Sequence, residues 1–179
     1  LIELNSKIEQ AKYYPILTNI HHSYWNTDKK NISENFNLKK DAFQISYKKE
    51  DPYEMLSSYE DIFDQYYTFV YTLKNDGEYT IRNFNCKSIV KNGIEHESGF
   101  WLFQSCDIEP GAILRCIYAT KFNLAKQCQN GEIQSLSFIY EMENVIGERF
   151  KMTSELIFFP VSVNEAPNYS IVVSSIQRL

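Results

Sequence analysis

Glycine is scarce in this 179-residue chain: six residues in all, and none before Gly77. Alanine is equally rare, which disfavours a helical bundle. Only four arginines occur, and 18 basic residues face 23 acidic ones for a formal net charge of -5. No global basic field therefore exists to attract nucleic acid, and the lysine pairs at 29–30, 39–40 and 48–49 are flanked by acids. No run approaches the ~18–20 apolar residues of a membrane span, and no secretory signal is present. The Walker phosphate loop, the G-x-G-x-x-G turn and the G-x-S-x-G elbow are all missing, so no cofactor is expected. The four cysteines, Cys86, Cys106, Cys116 and Cys128, lack C-x-x-C or C-x-x-H spacing, so no metal site is expected. Buried, reduced thiols in a cytoplasmic setting are the expectation, since the chain is long enough to build a core without staples.

What is abundant points to strands. Thirteen tyrosines, twelve phenylalanines and many isoleucines suit a pleated surface, where β-branched and aromatic side chains pack well. Residues 1–12 read as a short helix, with Leu1, Leu4, Ile8 and Ala11 at three- and four-residue steps, ended by Tyr14-Pro15. Residues 13–25 and 42–48 read as strands separated by a polar loop over 26–40. Asp51-Pro52-Tyr53-Glu54 is a helix-start pattern, with Met55, Tyr59 and Ile62 following at helical steps, so a helix inserted near 53–64 is expected.

Beyond residue 76, five of the six glycines recur 16–20 residues apart, in Asp76-Gly77, Asn92-Gly93, Pro110-Gly111, Asn130-Gly131 and Ile146-Gly147. Each lies between strand-like runs, and Asp-Gly or Asn-Gly steps supply the positive φ of tight hairpins. Leu136, Phe138, Tyr140 and Met142 alternate with more polar neighbours, as in a half-buried strand. The resulting expectation is mainly β: an antiparallel β-sandwich, immunoglobulin-like, of seven to nine strands, forming a single domain over 13–179 behind the helix tail at 1–12.

The order Tyr14-Pro15-Ile16-Leu17, Leu73-Lys74-Asn75-Asp76-Gly77, Ile108-Glu109-Pro110-Gly111 and Tyr140-Glu141 through Gly147 to Phe150 resembles a class of uncharacterised bacterial membrane-anchored proteins. Such proteins carry one or two N-terminal transmembrane helices, a juxtamembrane helix and a small soluble β-sandwich. The resemblance spans residues 1–160 and rests on turn motifs. It departs at Glu78-Tyr79, where that class continues with a glycine-rich segment. It implies a transmembrane segment upstream of residue 1, in keeping with a chain that opens without Met, and a soluble domain on the cytoplasmic side. It carries over no catalytic residue.

Few constellations suggest chemistry. His21-His22 would point to opposite faces of a strand and could share a metal only across a bulge. Cys106 with His96 and Asp107 is the nearest approach to a thiol hydrolase, although no signature surrounds it. The carboxylate pairs Asp61/Asp64 and Glu141/Glu143 read as solvated charge. Tyr67, Phe69 and Tyr71 share a strand face and read as core rather than as a base-stacking platform. Phe100-Trp101-Leu102-Phe103 reads as a strand buried on both faces or covered by a partner. The sequons at Asn31 and Asn168 read as chance matches. No catalytic residue is assigned and the binding residues are left open. The functional expectation is a non-enzymatic interaction or sensor domain with a protein partner. The alternatives are a small hydrolase with an unrecognised site, or a nucleotide- or nucleic-acid-sensing effector of phage defence.

Overall fold

The Asn-Gly and Ile-Gly steps after residue 90 make two tight hairpins, and the strands around them set the architecture. A computed structural model describes residues 2–26, 42–48, 65–99, 105–159 and 168–179. Helix α1 (Ile2–Lys12) is followed by β1 (Leu17–Asn26), β2 (Ala42–Lys48), β3 (Tyr67–Asn75), β4 (Ile81–Lys91), β5 (Ile94–Gly99), β6 (Cys106–Ile108) and β7 (Ile113–Thr120). Helix α2 (Leu124–Gln129) then leads to β8 (Ser135–Glu143), β9 (Arg149–Phe159), β10 (Asn168–Val173) and β11 (Gln177–Arg178). The helix expected near 53–64 and the apolar run 100–103 lie outside the described residues.

The strands run in the order β1-β3-β7-β2-β5-β4-β8-β9-β10, with β6 on β4 and β11 on β9. They form two sheets that do not close into a barrel, joined where Tyr47 and Lys48 of β2 meet Gly99 and Ser98 of β5. Antiparallel pairing dominates, as the alternation implies. One pair departs from it: β2 runs parallel to β7 over six residue pairs from Ala42↔Leu114 to Tyr47↔Ala119. Parallel neighbours need a long crossover, and the 64 residues between Lys48 and Ile113 supply it.

The inner faces of the two sheets meet in an aromatic core. From one side come Phe69, Tyr71 and Tyr118; from the other come Phe84, Phe138, Tyr140 and Phe150, all buried. The Tyr71 and Tyr118 rings lie 5.7 and 5.5 Å from that of Phe138. The first sheet is buried on both faces, since Val70 and Ile117 on its other side are also inaccessible. β3 is accordingly buried without a break from Thr68 to Leu73, although Thr68 and Thr72 interrupt its apolar residues.

The recurring glycines serve three different purposes. Asn92-Gly93 (φ 49 and 81) and Ile146-Gly147 turn the β4–β5 and β8–β9 hairpins. Asp76-Gly77 and Pro110-Gly111 instead carry the chain from one sheet to the other, because β3 does not pair with β4, nor β6 with β7. Gly131 (φ 79) ends α2, a helix the strand–turn reading passed over. Asn123 caps α2 by accepting from the Lys126 N–H at 3.2 Å, and Leu124, Ala125 and Cys128 form its buried side.

Asn75 ties the two inter-sheet crossings together. Its fully buried carboxamide donates to the carbonyls of Tyr79 and Ile108, both at 2.9 Å, and accepts from the Gly77 N–H at 3.0 Å. Its backbone N–H donates to Ala112 and its carbonyl accepts from Gly111.

On β2 the inner face is polar. Gln44 sits beside Cys116, only 1% exposed, and neither amide atom of its side chain has a partner among the described residues. A buried carboxamide without partners costs about 1–3 kcal/mol relative to an apolar side chain of the same volume. Gln44→Met should therefore raise stability by about 1–2 kcal/mol, read as a rise of roughly 3–6 °C in Tm by calorimetry. A lower Tm would place an unseen partner on that amide.

Candidate functional site

The outer face of the second sheet carries a polar groove. Every second residue of a strand faces outward, so Asn83, Asn85 and Lys87 of β4 approach Glu141 and Glu143 of β8 and Arg149 of β9. Together with Met142 they line an open groove of about 340 Å³.

Two register irregularities shape this groove, one between Arg82 and Asn85 and one between Cys86 and Ser88. At the first, Asn83 takes a left-handed backbone (φ 51), a conformation asparagine tolerates better than most residues. The bulge lets its N–H donate to Asp107 and its carboxamide donate to Glu143, each at 3.0 Å. Bulges of this kind re-aim side chains at the edges of sites.

The charges are mutually satisfied. Arg149 donates to Glu141 at 3.1 Å and Lys87 lies 3.7 Å from the same oxygen. The groove thus presents donors and acceptors of both charges side by side on one sheet face.

Among the buried titratable groups, Tyr71, Tyr140 and Cys116 meet in a second polar cluster in the core. The hydroxyls of Tyr71 and Tyr140 hydrogen-bond to each other between the sheets. Burial raises both phenols well above their ordinary value. Burial likewise raises the Cys116 thiol and pushes Cys128 up to about 12. All four cysteines are free thiols, and desolvation makes Cys116 and Cys128 inert ones.

The sequence-level candidates are dispersed. Cys106 is half-buried with its thiol directed at the Phe84 carbonyl at 3.9 Å, and Asp107 accepts from Asn83. His96 pairs with Ile89, whereas Cys106 pairs with Phe84. Five residues of β4 separate the two, roughly 15 Å at ~3.3 Å per residue and far outside proton-transfer reach. Phe69 and Tyr71 are core residues, so no exposed stacking platform forms there.

At His21-His22 three residues of β1 stand opposite Tyr71 alone, so the bulge that a shared ligand would require exists in the backbone. The imidazoles themselves lie outside the described side chains, as do Asp61, Asp64 and the Asn31 sequon. Asn168 opens β10. Among the described residues no group of three His, Cys, Asp or Glu side chains could hold a metal ion. No described helix is long and apolar enough to cross a membrane.

Of the groove residues, the sequence reading singled out only Glu141 and Glu143. The period-two polar positions 83, 85 and 87 were the available signal. Strand register, which decides that they meet the two glutamates, is not written in either segment alone. No protein-family model, curated protein or solved structure matches this chain.

Proposed function

We propose that this chain is the non-enzymatic β-sandwich part of a membrane-anchored bacterial protein, working as an interaction or ligand-sensing domain on the cytoplasmic side. The observation that carries the reading is the groove at Glu141: its polar groups stand on three neighbouring strands, and its carboxylate accepts from Arg149 with Lys87 3.7 Å away. Such a surface suits recognition, in which donors and acceptors must stay in place, better than acid–base turnover. The immunoglobulin-like arrangement belongs to the same proposal and draws support from the two sheets that meet through aromatic inner faces. Free thiols fit a reducing compartment.

The anchored arrangement draws support from α1. Its residues Leu4 and Ile8 are each 59% exposed, although they recur at helical spacing, so the helix does not pack this stripe on the β domain. It rises from a fixed base, where Tyr13 packs on Tyr79 and Tyr14 on Phe150, with the Tyr14 hydroxyl donating to Ile176 at 2.6 Å.

A double substitution, Glu141→Ala with Arg149→Ala, tests the groove. Exposed ion pairs contribute only about 0–1 kcal/mol, so the fold should survive with little change in Tm. Partner capture by the intact protein should fall at least about tenfold, the loss of roughly 1.4 kcal/mol of recognition. Undiminished capture would remove the groove from the reading. Recovery of the full-length protein in the soluble fraction rather than with membranes would remove the anchor.

A further inference from the structure

Strand β11 lies on β9 as a short, exposed segment, and three side chains hold its arginine. β9 pairs with β10 over six residue pairs but with β11 over two, Gln177↔Lys151 and Arg178↔Phe150. Residues 177–179 are all exposed, and the Arg178 side chain keeps 40% of its surface in solvent. A short exposed ladder of this kind opens locally at far lower cost than a core strand.

The arginine sits in a cage. Its guanidinium carbon is 5.8 Å from the centre of the Tyr14 ring and 5.6 Å from that of Phe150. The two rings meet edge to face with their centres 4.9 Å apart. Both lie within the ~6 Å over which an aromatic ring attracts a cation. The third wall is Glu148, whose carboxylate lies 3.1 Å from Arg178 Nε. Asn144 holds that glutamate in place, donating to its carboxylate at 3.1 Å and accepting from its N–H at 2.9 Å. The acidic wall is therefore set by the β8–β9 turn and not by β11. The main chain around the arginine is bound as well. The Leu179 N–H donates to the Arg149 carbonyl at 2.9 Å, and the Ile176 carbonyl accepts from the Tyr14 hydroxyl at 2.6 Å.

We propose that Tyr14, Glu148 and Phe150 form a recognition site for an arginine on an extended peptide of a partner protein, and that Arg178 occupies this site in cis as a placeholder. The chain's own segment shows what fits: an arginine in the cage, an N–H on the residue after it and a carbonyl two residues before it. Arginine suits the cage better than lysine, because a flat guanidinium stacks on rings while its edge meets a carboxylate. The partner strand adds to β9 in the place of β11, with main-chain bonds supplying affinity and the cage supplying selectivity. None of the three cage residues lines the groove at Glu141, so failure at one site leaves the other standing.

Fluorescence anisotropy of a labelled Ser-Ser-Ile-Gln-Arg-Leu peptide tests the site. The control is the same peptide with citrulline, the uncharged isostere, in place of arginine. In the wild-type chain the tethered Arg178 competes at an effective concentration of about 1 mM. Arg178→Ala removes that competitor and should bind the arginine peptide at least about tenfold more tightly than the wild type does. It should also prefer the arginine peptide to the citrulline one by a similar factor. Adding Glu148→Gln, which keeps an acceptor for Asn144, should diminish that preference. Equal binding of the two peptides, or no gain on Arg178→Ala, would overturn the proposal. A preference untouched by Glu148→Gln places the peptide elsewhere and overturns it too. Should Arg178→Ala lose its native circular dichroism spectrum, the wild type decides. Excess arginine peptide should then speed amide exchange at Leu179 and the citrulline peptide should not; no difference between them overturns the proposal.

Discussion

Above about pH 9 this protein should lose stability steeply, and by about pH 11 it should unfold at room temperature. Thiols and phenols are neutral in their protonated form, and burial opposes the anion. Tyr71 and Tyr140 are held well above their ordinary value, Cys116 is raised as well, and Cys128 is pushed up to about 12. In the unfolded chain these groups ionise near their ordinary values, about 8.5 for cysteine and about 10 for tyrosine. Their contribution is fully present below those unfolded values and is lost as pH rises toward the folded ones. Each group removes at most about 1.4 kcal/mol per pH unit. The two thiols begin the decline and the two phenols steepen it above about pH 10, so by about pH 11 the loss approaches the ~5–15 kcal/mol that holds a domain together. Urea unfolding followed at successive pH values checks this. A profile flat to about pH 11 would contradict the sealed cluster.

The same cluster separates two causes of the decline. Replacing both Tyr71 and Tyr140 by Phe should remove the steepening above about pH 10 and leave the shallower decline of the two thiols in place. At neutral pH, either single replacement strands the other hydroxyl in the core and should cost about 1–3 kcal/mol, whereas the double replacement should cost less than the sum.

Asn75→Ala should be among the most damaging single substitutions in the molecule. It removes three hydrogen bonds from a side chain with no solvent access and leaves the Gly77 N–H and the Tyr79 and Ile108 carbonyls without that partner. At about 1 kcal/mol for each bond, the expected loss is roughly 3 kcal/mol, visible as a lower urea midpoint with an unchanged slope. Asn75→Asp should be at least as harmful. It keeps an acceptor for Gly77 but turns both donations into contacts between oxygens and buries a charge. A cost below about 1 kcal/mol for either variant would mean that the crossings do not depend on this residue.

How much of this could be read from the chain depends on whether a feature is local. The alternation of Leu136, Phe138, Tyr140 and Met142 is local, and it placed β8 and its buried face directly. Asn92-Gly93 is local too, and it is the hairpin its residues imply. Asp76-Gly77 is a turn step of the same kind but has a different role, because what decides between a hairpin and a crossing is whether the flanking strands pair. Helix α2 is only six residues long and buries one short side, too little for a helical period to stand out between strands. The parallel β2–β7 pair and the Asn83–Glu141 groove both depend on registers between segments tens of residues apart. Cys106 and His96 show the converse: ten residues apart in the chain, they belong to different strands that occupy successive stretches of β4.

The parallel placement of β2 also constrains how the molecule is made. Synthesis runs from the N-terminus, and β2 ends at Lys48, whereas its long partner β7 begins only at Ile113. About 65 residues must leave the ribosome between them, which takes roughly 3–13 s at ~5–20 residues per second. Through that interval the nascent chain carries Phe43, Ile45 and Tyr47 without the β7 strand that later flanks them. β3, completed at Asn75, waits for the same β7, although β1 is already at hand. The first sheet is therefore completed by its last-made strand, and β2 and β3 both wait for it.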